Sequence, residues 1–563
     1  MKENSMKTTK RNKKDLIDID IIDLNGSSKD GGKKKSAGKK TASAKKTAGG
    51  RSAASGARAS GTKASGRKAA AGKSAKSRQG SAGASASGGE SAAPVRRKGN
   101  REFAVITYFF LALFICLSGY FVYFLQFKSE DFINNPYNAR LATLSDTVIR
   151  GRILSADGQV LARTDVAEDG TETRVYPYGP MFAHAVGYNV NGMAGVELDG
   201  NFNLLRSNAF VLERLVNEIT GQKNQGDDLV TTLNYNLQET AYDGMGSYDG
   251  AVVALEPSTG KILAMVSKPD FNPNSIAKDW DSLISGDSSE LVNRATQGLY
   301  PPGSTFKIVT ALAYMREHPD YANYTFDCTG TYNAGGYTIH CTGNEAHGHQ
   351  TFLEAFANSC NCAFSDMGLS LNVSEYGDVA EDLLFNHSLP TSLGNVNASS
   401  FALTEQTSPA EIMQTSIGQG TTLTTPLHMA MIVSAIANGG ELMEPYIIDH
   451  SMNNQQQLVK QYDPQSYGNI LSASEASALQ ELMRAVVTEG TGTSLQSDRY
   501  TVYGKTGTAE YTSDKDNTHS WFVGYATDAS GKEIAVAVIM EGAGYGSRHA
   551  VPLAKKMFDV YFQ

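Results

Sequence analysis

The spacing of hydrophobic and polar positions changes along the chain, and each change predicts a different element. Phe103 to Leu125 is 23 residues without a charge. At about 1.5 Å per residue it spans a hydrocarbon core of about 30 Å. After it, residues 129–225 alternate short apolar runs with turn signals such as Asp157-Gly158 and Asn191-Gly192. Val148 to Leu154 and Gln159 to Ala162 predict a hairpin there. From about Leu229 the pattern mixes periods. Gly250 to Leu255 and Lys261 to Ser267 are apolar runs around Glu256-Pro257-Ser258-Thr259-Gly260, which has hairpin turn chemistry. Ser520 to Ala526 and Glu533 to Met540 predict two more strands, and Val551 to Phe562 a closing amphipathic helix. Helical spacing covers Phe306–Met315, Leu353–Leu369, Pro426–Asn438 and Ser474–Glu489. Strands at both ends around a helical middle predict an α/β (α+β) fold, with one antiparallel sheet assembled from distant segments plus a helical subdomain.

Composition sharpens the N-terminal half of this picture. The net charge of -8 hides an asymmetry, because residues 1–100 hold 25 Lys/Arg against 7 Asp/Glu. Residues 26–100 contain no aromatic side chain and too little apolar surface to offset ordering entropy, which predicts a disordered tail. Leu16 to Ile22 is a short apolar exception. No aromatic residues interleave with the basic ones, so base stacking is unsupported. The tail fits an anionic membrane surface better than a specific nucleic acid, at on the order of 1 kcal/mol per basic residue near the lipid. Arg96-Arg97-Lys98 and Arg101 flank the apolar run and place its N-terminal side in the cytoplasm. Bulky residues from Tyr120 to Phe127 leave no small-residue cleavage site, so the run is expected to be an uncleaved anchor. The chain thus divides into a tail (1–100), an anchor (103–125), a β-rich region (129–225) and a large C-terminal domain (226–563).

Three short motifs carry the chemistry. In Pro301-Pro302-Gly303-Ser304-Thr305-Phe306-Lys307 a turn opens a helix, and Ser304 and Lys307 fall one turn apart on one face. That spacing suits a nucleophilic serine with a lysine base. Asn358-Ser359-Cys360-Asn361 supplies Ser-x-Asn, and Gly504-Lys505-Thr506-Gly507-Thr508 supplies Lys-Thr-Gly. Singly each is weak, and Asn361 alone would pass for a helix cap. In this order they form the motif set of penicillin-interacting serine acyltransferases.

The resemblance extends through Arg150-Gly151-Arg152-Ile153, Gly195-Val196-Glu197, Ala254 to Met265, Ser416-Ile417-Gly418-Gln419-Gly420 and Trp521-Phe522-Val523-Gly524-Tyr525. From about Ala139 onward the chain resembles a class B penicillin-binding protein, a monofunctional peptidoglycan D,D-transpeptidase. The resemblance implies a five-stranded antiparallel sheet flanked by helices, with a pedestal (dimerisation-like) domain at 129–225. It also implies roles. Ser304 is the nucleophile, Lys307 its base, and Ser359 a proton relay. Lys505 lowers the Lys307 pKa and, with Thr506, Gly507 and Thr508, holds the substrate carboxylate. Asn361 binds the stem-peptide backbone, and the Ser304 and Thr508 backbone N–H groups form the oxyanion hole. The implied partners are D-Ala-D-Ala stem peptides, β-lactams and a SEDS-family membrane glycan polymerase. A β-lactamase would need a deacylating Glu, yet none occurs between Glu381 and Glu405. A D,D-carboxypeptidase or resistance variant of the same fold is the alternative reading. No cofactor is required for the chemistry.

The cysteines leave three readings open. Cys116 lies in the apolar run; Cys328, Cys341, Cys360 and Cys362 lie beyond it. A Cys328–Cys341 disulfide would be worth about 3 kcal/mol in the chain-entropy model. Buried free thiols are the second reading. The third is a structural zinc on Cys328, Cys341, His347 and Cys360, a tetrahedral Cys₃His set, with Cys362 or His349 able to replace a ligand. Some class B relatives resemble this in carrying a zinc beside the catalytic centre.

Overall fold

The computed structural model describes residues 101–124, 145–286, 289–510 and 517–563. The basic tail, the Leu16–Ile22 patch and residues 129–144 lie outside the described residues. The apolar run forms helix α1 (Arg101–Tyr123), in which Phe103–Tyr123 is long and apolar enough to cross a membrane.

The first folded layer is a six-stranded sheet drawn from two distant stretches. Its strands run in the order Leu458–Gln461, Ile448–Met452, Asp228–Thr231, Ile153–Leu154, Val160–Val166, Glu172–Val175. The expected hairpin is present, with Ile153 opposite Ala162, but its first strand is shorter than Val148–Leu154. Val148–Ile149 instead pairs in parallel with Asn224–Gln225. The interruption is Arg150-Gly151-Arg152. A Cβ on Gly151 would stand 1.9 Å from the Asp227 carbonyl oxygen, so only glycine permits this approach. Arg150 turns inward to Glu197, 2.6 Å away, and Arg174 reaches the same carboxylate at 2.7 Å. Tyr176 Oη donates to it as well, at 3.1 Å. Burial alone would raise the Glu197 pKa, but the two guanidiniums overcome that and hold it below the usual carboxylate range.

The second layer is the expected five-stranded antiparallel sheet. Its strands are β1 (Gly250–Leu255), β2 (Ile262–Lys268), β3 (Thr501–Glu510), β4 (Thr518–Thr527) and β5 (Glu533–Met540), in the order β3-β4-β5-β1-β2. Every pairing is antiparallel. β1, β2, β4 and β5 are largely apolar runs because both faces are covered. Along β5, Ala535, Ala537 and Ile539 enter one core, while Ile534, Val536, Val538 and Met540 enter the other. The second core is closed by α2 (Tyr235–Met245) and by α8 (Ala550–Tyr561), the amphipathic helix expected at the end of the chain. The first holds α3 (Lys307–Glu317), α4 (Phe352–Ala357), α5 (Asn361–Ser370), α6 (Pro426–Ala437) and α7 (Ala473–Thr488).

One element differs from expectation. Leu353–Leu369 is two helices, not one, because Ser359 takes a left-handed backbone (φ 57°) between α4 and α5. The apolar period crosses this break unchanged. The backbone reversal is held by Ser359 N donating to Phe356 O at 3.1 Å and Cys360 N to Ala355 O at 2.9 Å.

Replacing Glu197 with Ala would leave two buried guanidiniums facing each other. The expected loss is about 3–5 kcal/mol, read as a lower denaturation midpoint, with Glu197→Gln intermediate. An Ala variant within about 0.5 kcal/mol of the parent would show that the carboxylate is not the clamp described.

Candidate active site

The Ser304 turn is built by close backbone approaches. Gly303 has φ 54°, and a Cβ there would lie 2.6 Å from the Thr508 carbonyl oxygen. Gly303 N donates to Gly418 O at 2.8 Å, and a Cβ on Gly418 would lie 2.0 Å from Gly303 O. Gly507 has no room either, with Thr305 Cγ2 and Trp521 Cβ each 2.9 Å from the position of a Cβ. Trp521 Nε1 donates to Pro301 O at 3.1 Å, and Thr305 Oγ1 to Pro302 O at 2.7 Å. The Ser-Ile-Gly-Gln-Gly segment and the Lys-Thr-Gly strand therefore clamp the serine turn from two sides. Residues 303–306 form a single 3₁₀ turn that runs into α3. Ser304 is half-buried and Lys307 fully buried.

Lys307 Nζ donates to Ser359 O (2.6 Å), Ser359 Oγ (3.2 Å) and Asn361 Oδ1 (2.7 Å). The left-handed Ser359 makes this possible, since it turns both its carbonyl and its hydroxyl toward the same ammonium. All three acceptors are neutral. Burial accordingly lowers the Lys307 pKa to about 8, against an opposing pull from Cys360, Cys341 and Cys362 nearby. Asn361 is not the helix cap: Cys360 Sγ takes that place by accepting from Ala363 N at 3.4 Å. Asn361 Nδ2 donates to His340 O at 2.9 Å, tying α5 to the cysteine-bearing loop.

Lys505 is also fully buried on β3, with Nζ 3.3 Å from Thr506 O and 5.6 Å from the centre of the Phe356 ring. Its pKa falls well below the ordinary lysine value through burial first and then the charge of Lys307. Two ammoniums in one dry pocket repel each other, so the pair holds its protons less tightly than either would alone. β3 is an edge strand, and Thr506 and Thr508 lie along it. Thr506 Oγ1 is 2.6 Å from Thr491 Oγ1, and Gly546 N donates to Thr508 Oγ1 at 3.4 Å. The motif reading missed Thr491 and Gly546. The only sequence signal was a Gly/Thr-rich stretch, Gly490-Thr491-Gly492, following α7. Gly490 fits there because a Cβ would meet Ala357 O at 2.2 Å.

The four residues considered for metal binding also converge. The ligand atoms of Cys328, Cys341, His347 and Cys360 all lie within 4.8 Å of one another. Cys328 Sγ is 3.6 Å from Cys341 Sγ and 3.5 Å from His347 Nδ1, and Cys341 Sγ is 3.7 Å from Cys360 Sγ. All these cysteines are free, so the Cys328–Cys341 disulfide does not form here. His349 is outside the cluster, exposed and paired with Asp327 at 2.9 Å. Cys362 is at its edge, 3.4 Å from Cys341. Hydrogen bonds from the Cys341 and Cys362 thiols lower the Cys360 pKa, favouring a thiolate.

Comparison with known proteins agrees with this geometry. Residues 250–559 match the penicillin binding protein transpeptidase domain, and residues 150–229 match the penicillin binding protein A dimerisation domain. The peptidoglycan D,D-transpeptidase PbpA of Mycolicibacterium smegmatis is 33% identical over 457 residues, covering 74% of this chain and 89% of that protein. The crystal structure of a D,D-transpeptidase domain from Eggerthella lenta superposes with a TM-score of 0.66 at 32% identity, covering 74% of this chain and 99% of that one. The penicillin G acyl-enzyme complex of penicillin-binding protein A from Mycobacterium tuberculosis does so with a TM-score of 0.66 at 28% identity and the same coverage. With more than half its length matched by the family's catalytic domain, this chain belongs to the penicillin-binding transpeptidase family.

Proposed function

We propose that this protein is a peptidoglycan D,D-transpeptidase working through an acyl-enzyme on Ser304. The observation that carries the reading is Lys307, fully buried with only neutral acceptors, one helical turn from a half-buried Ser304. Neutral Lys307 takes the Ser304 hydroxyl proton as Oγ attacks the carbonyl between two terminal D-alanines. The tetrahedral oxyanion is met by backbone N–H groups of Ser304 and Thr508. Thr508 turns its carbonyl toward Gly303, and in a strand the N–H of one residue leaves from the same edge. Each such donor is worth about 3–4 kcal/mol in comparable acyl transfers. Collapse breaks the C–N bond, and the proton reaches the leaving D-alanine amine through Ser359, which already accepts from Lys307. An amine of a neighbouring stem peptide then attacks the ester, forming the cross-link and freeing Ser304. Lys505 with Thr506, Gly507 and Thr508 receives the substrate carboxylate, and Asn361 the peptide backbone. A β-lactam acylates the same serine but keeps its leaving group tethered. Relatives named D,D-transpeptidase support this over the carboxypeptidase alternative.

The setting is proposed from the anchor and its flanks. Arg96-Arg97-Lys98 and Arg101 on the N-terminal side of α1 support a cytoplasmic N-terminus, with 129–225 as pedestal and 226–563 as the catalytic domain outside. Basic residues in the tail suit anionic lipid, and a SEDS-family glycan polymerase is the partner that the resemblance implies.

A structural zinc on Cys328, Cys341, His347 and Cys360 is also proposed. Zn–S bonds of about 2.3 Å at tetrahedral angles put sulfurs about 3.8 Å apart, close to the 3.6 and 3.7 Å found. The chemistry of the donors, three thiols and an imidazole, suits that ion. It would hold the 328–347 loop, poor in apolar residues, against Ser359-Cys360-Asn361 and so keep the Lys307 acceptors in place.

Three outcomes test these readings. Ser304→Ala should lose all covalent labelling by fluorescent penicillin with an unchanged melting temperature; persistent labelling at a single site would move the nucleophile elsewhere. The acylation rate should rise with pH through a limb near 8, because Lys307 acts only after losing its proton. In Lys505→Ala that limb should stay near 8, because burial rather than Lys505 lowers the Lys307 pKa. A limb moved to higher pH would show that Lys505 is still charged when Lys307 loses its proton. Protein purified without chelators should hold about one zinc per chain, lost in Cys328→Ser with a lower melting temperature. Metal-free protein of full penicillin reactivity would refute the site.

A further inference from the structure

The helix Val211–Thr220 is amphipathic in the wrong sense for a helix that packs on its own domain. None of its residues is buried. Its half-buried side is polar: Glu213 and Asn217, one turn apart, face the domain. Glu213 accepts from Asn454 Nδ2 at 2.7 Å and Gln455 Nε2 at 3.4 Å, and Asn217 Nδ2 donates to Asn224 Oδ1 at 3.0 Å. Those bonds fix the helix's rotation. At 100° per residue, Val211, Leu212, Leu215 and Ile219 lie within about 60° of the direction opposite Glu213 and Asn217, with Leu215 pointing most directly away and Val216 at the margin of the stripe. All five are exposed, Ile219 by 77%. An apolar stripe turned outward by specific hydrogen bonds marks a contact surface.

We propose that this stripe lies on the lipid surface of the membrane in which the chain is anchored. The proposal rests on the reading of α1 as a membrane anchor. Its first support is where the tether attaches. The chain coming from α1 enters the folded region at Ser145, whose carbonyl accepts from Lys223 Nζ at 2.9 Å, and Asn224 N donates to Thr147 O at 3.0 Å. Lys223 is three residues past the end of the helix. The helix and the membrane tether therefore leave the domain at the same place, and the 20 residues 125–144 limit its distance from the span to about 70 Å at most. Its second support is size. Ten residues make a helix about 15 Å long, and two such helices packed together bury far less than the about 1,200 Å² of a stable dimer. A bilayer has no such threshold. The third is charge. The polar arc holds Glu213, Arg214 and Glu218, so attachment comes from apolar insertion into the interface, not from attraction to anionic headgroups.

The test uses the full chain in vesicles of phosphatidylethanolamine and phosphatidylglycerol, some lipids carrying an acyl-chain nitroxide. A fluorescent amino acid is placed at Leu215 or, as control, at Arg214, and thermal melts confirm that both variants are folded. The Leu215 probe should be quenched by the lipid nitroxide several-fold more than the Arg214 probe, be shielded from aqueous iodide, and stay so in high salt. Leu215→Asp with the probe at Ile219 should lose the lipid quenching without lowering the melting temperature. If the chain floats with vesicles but iodide reaches the Leu215 probe and lipid nitroxide does not, the lipid contact is wrong while the anchor stands. A Leu215 probe shielded from both quenchers, with chemical cross-linking giving a dimer, would assign the stripe to a second copy and overturn the proposal. A chain that fails to float would remove the anchor reading and this inference together.

Discussion

The candidate active site depends on the cost of burying an ammonium. Lys307 sits where α3 leaves the serine turn, enclosed by the helical subdomain on one side and the edge of the five-stranded sheet on the other. A lysine there meets only carbonyl, hydroxyl and amide oxygens, which stabilise its charge less than a carboxylate would. Desolvation then brings its pKa near neutrality, where a lysine can act as a base. The rest of the architecture maintains that burial. Gly303, Gly418 and Gly507 let three backbones approach within distances that any side chain would forbid. One added methyl group at any of them would meet other atoms at 2.9 Å or less, so the clamp on the serine turn could not close as it does.

The same constraint explains the backbone at Ser359. A continuous helix from Leu353 to Leu369 would aim its carbonyls along its own axis and spend them on its own hydrogen bonds. Breaking the helix at one left-handed residue frees the Ser359 carbonyl and places the Asn361 amide beside it. Strain at a non-glycine residue of this kind costs about 1–3 kcal/mol. The capping of α5 by Cys360 and the bonds of Ser359 N and Cys360 N to α4 offset it. The cysteine cluster bears on the same point, because Cys360 is the middle residue of the motif.

Much of this was legible in the sequence, for identifiable reasons. The sheet was legible because β1, β2, β4 and β5 are apolar runs bounded by turn residues, and the closing helix because its period is clear of ambiguity. The serine, lysine and Lys-Thr-Gly positions were legible because their chemistry fixes residue type as well as spacing. The break at Ser359 was not, since helix periodicity records which face is buried and passes unchanged through a single φ reversal; the run Asn358-Ser359-Cys360-Asn361, rich in residue types that favour helix ends, was the available signal. The roles of Thr491 and Gly546 were hidden for a different cause. Each acts through one contact with a residue far away in sequence, and a lone threonine or glycine announces nothing. The outward stripe of Val211–Thr220 was hidden too, because periodicity gives an apolar face but not the direction it faces.

The six-stranded sheet adds a mechanical consequence. Strand Ile448–Met452 comes from the far side of α6, yet it pairs with Asp228–Thr231, which in turn pairs with Ile153–Leu154. Thr232 Oγ1 donates to Ile262 O at 2.6 Å, and Lys261 bridges to Tyr446, so this sheet is stitched to β2 of the catalytic sheet as well. The region that the chain enters at Ser145, with its outward stripe, is thus not hung from the catalytic domain by a linker. It is hydrogen-bonded to strands from both ends of that domain. The orientation of the Ser304 cleft relative to the six-stranded sheet is therefore set by the β-ladder.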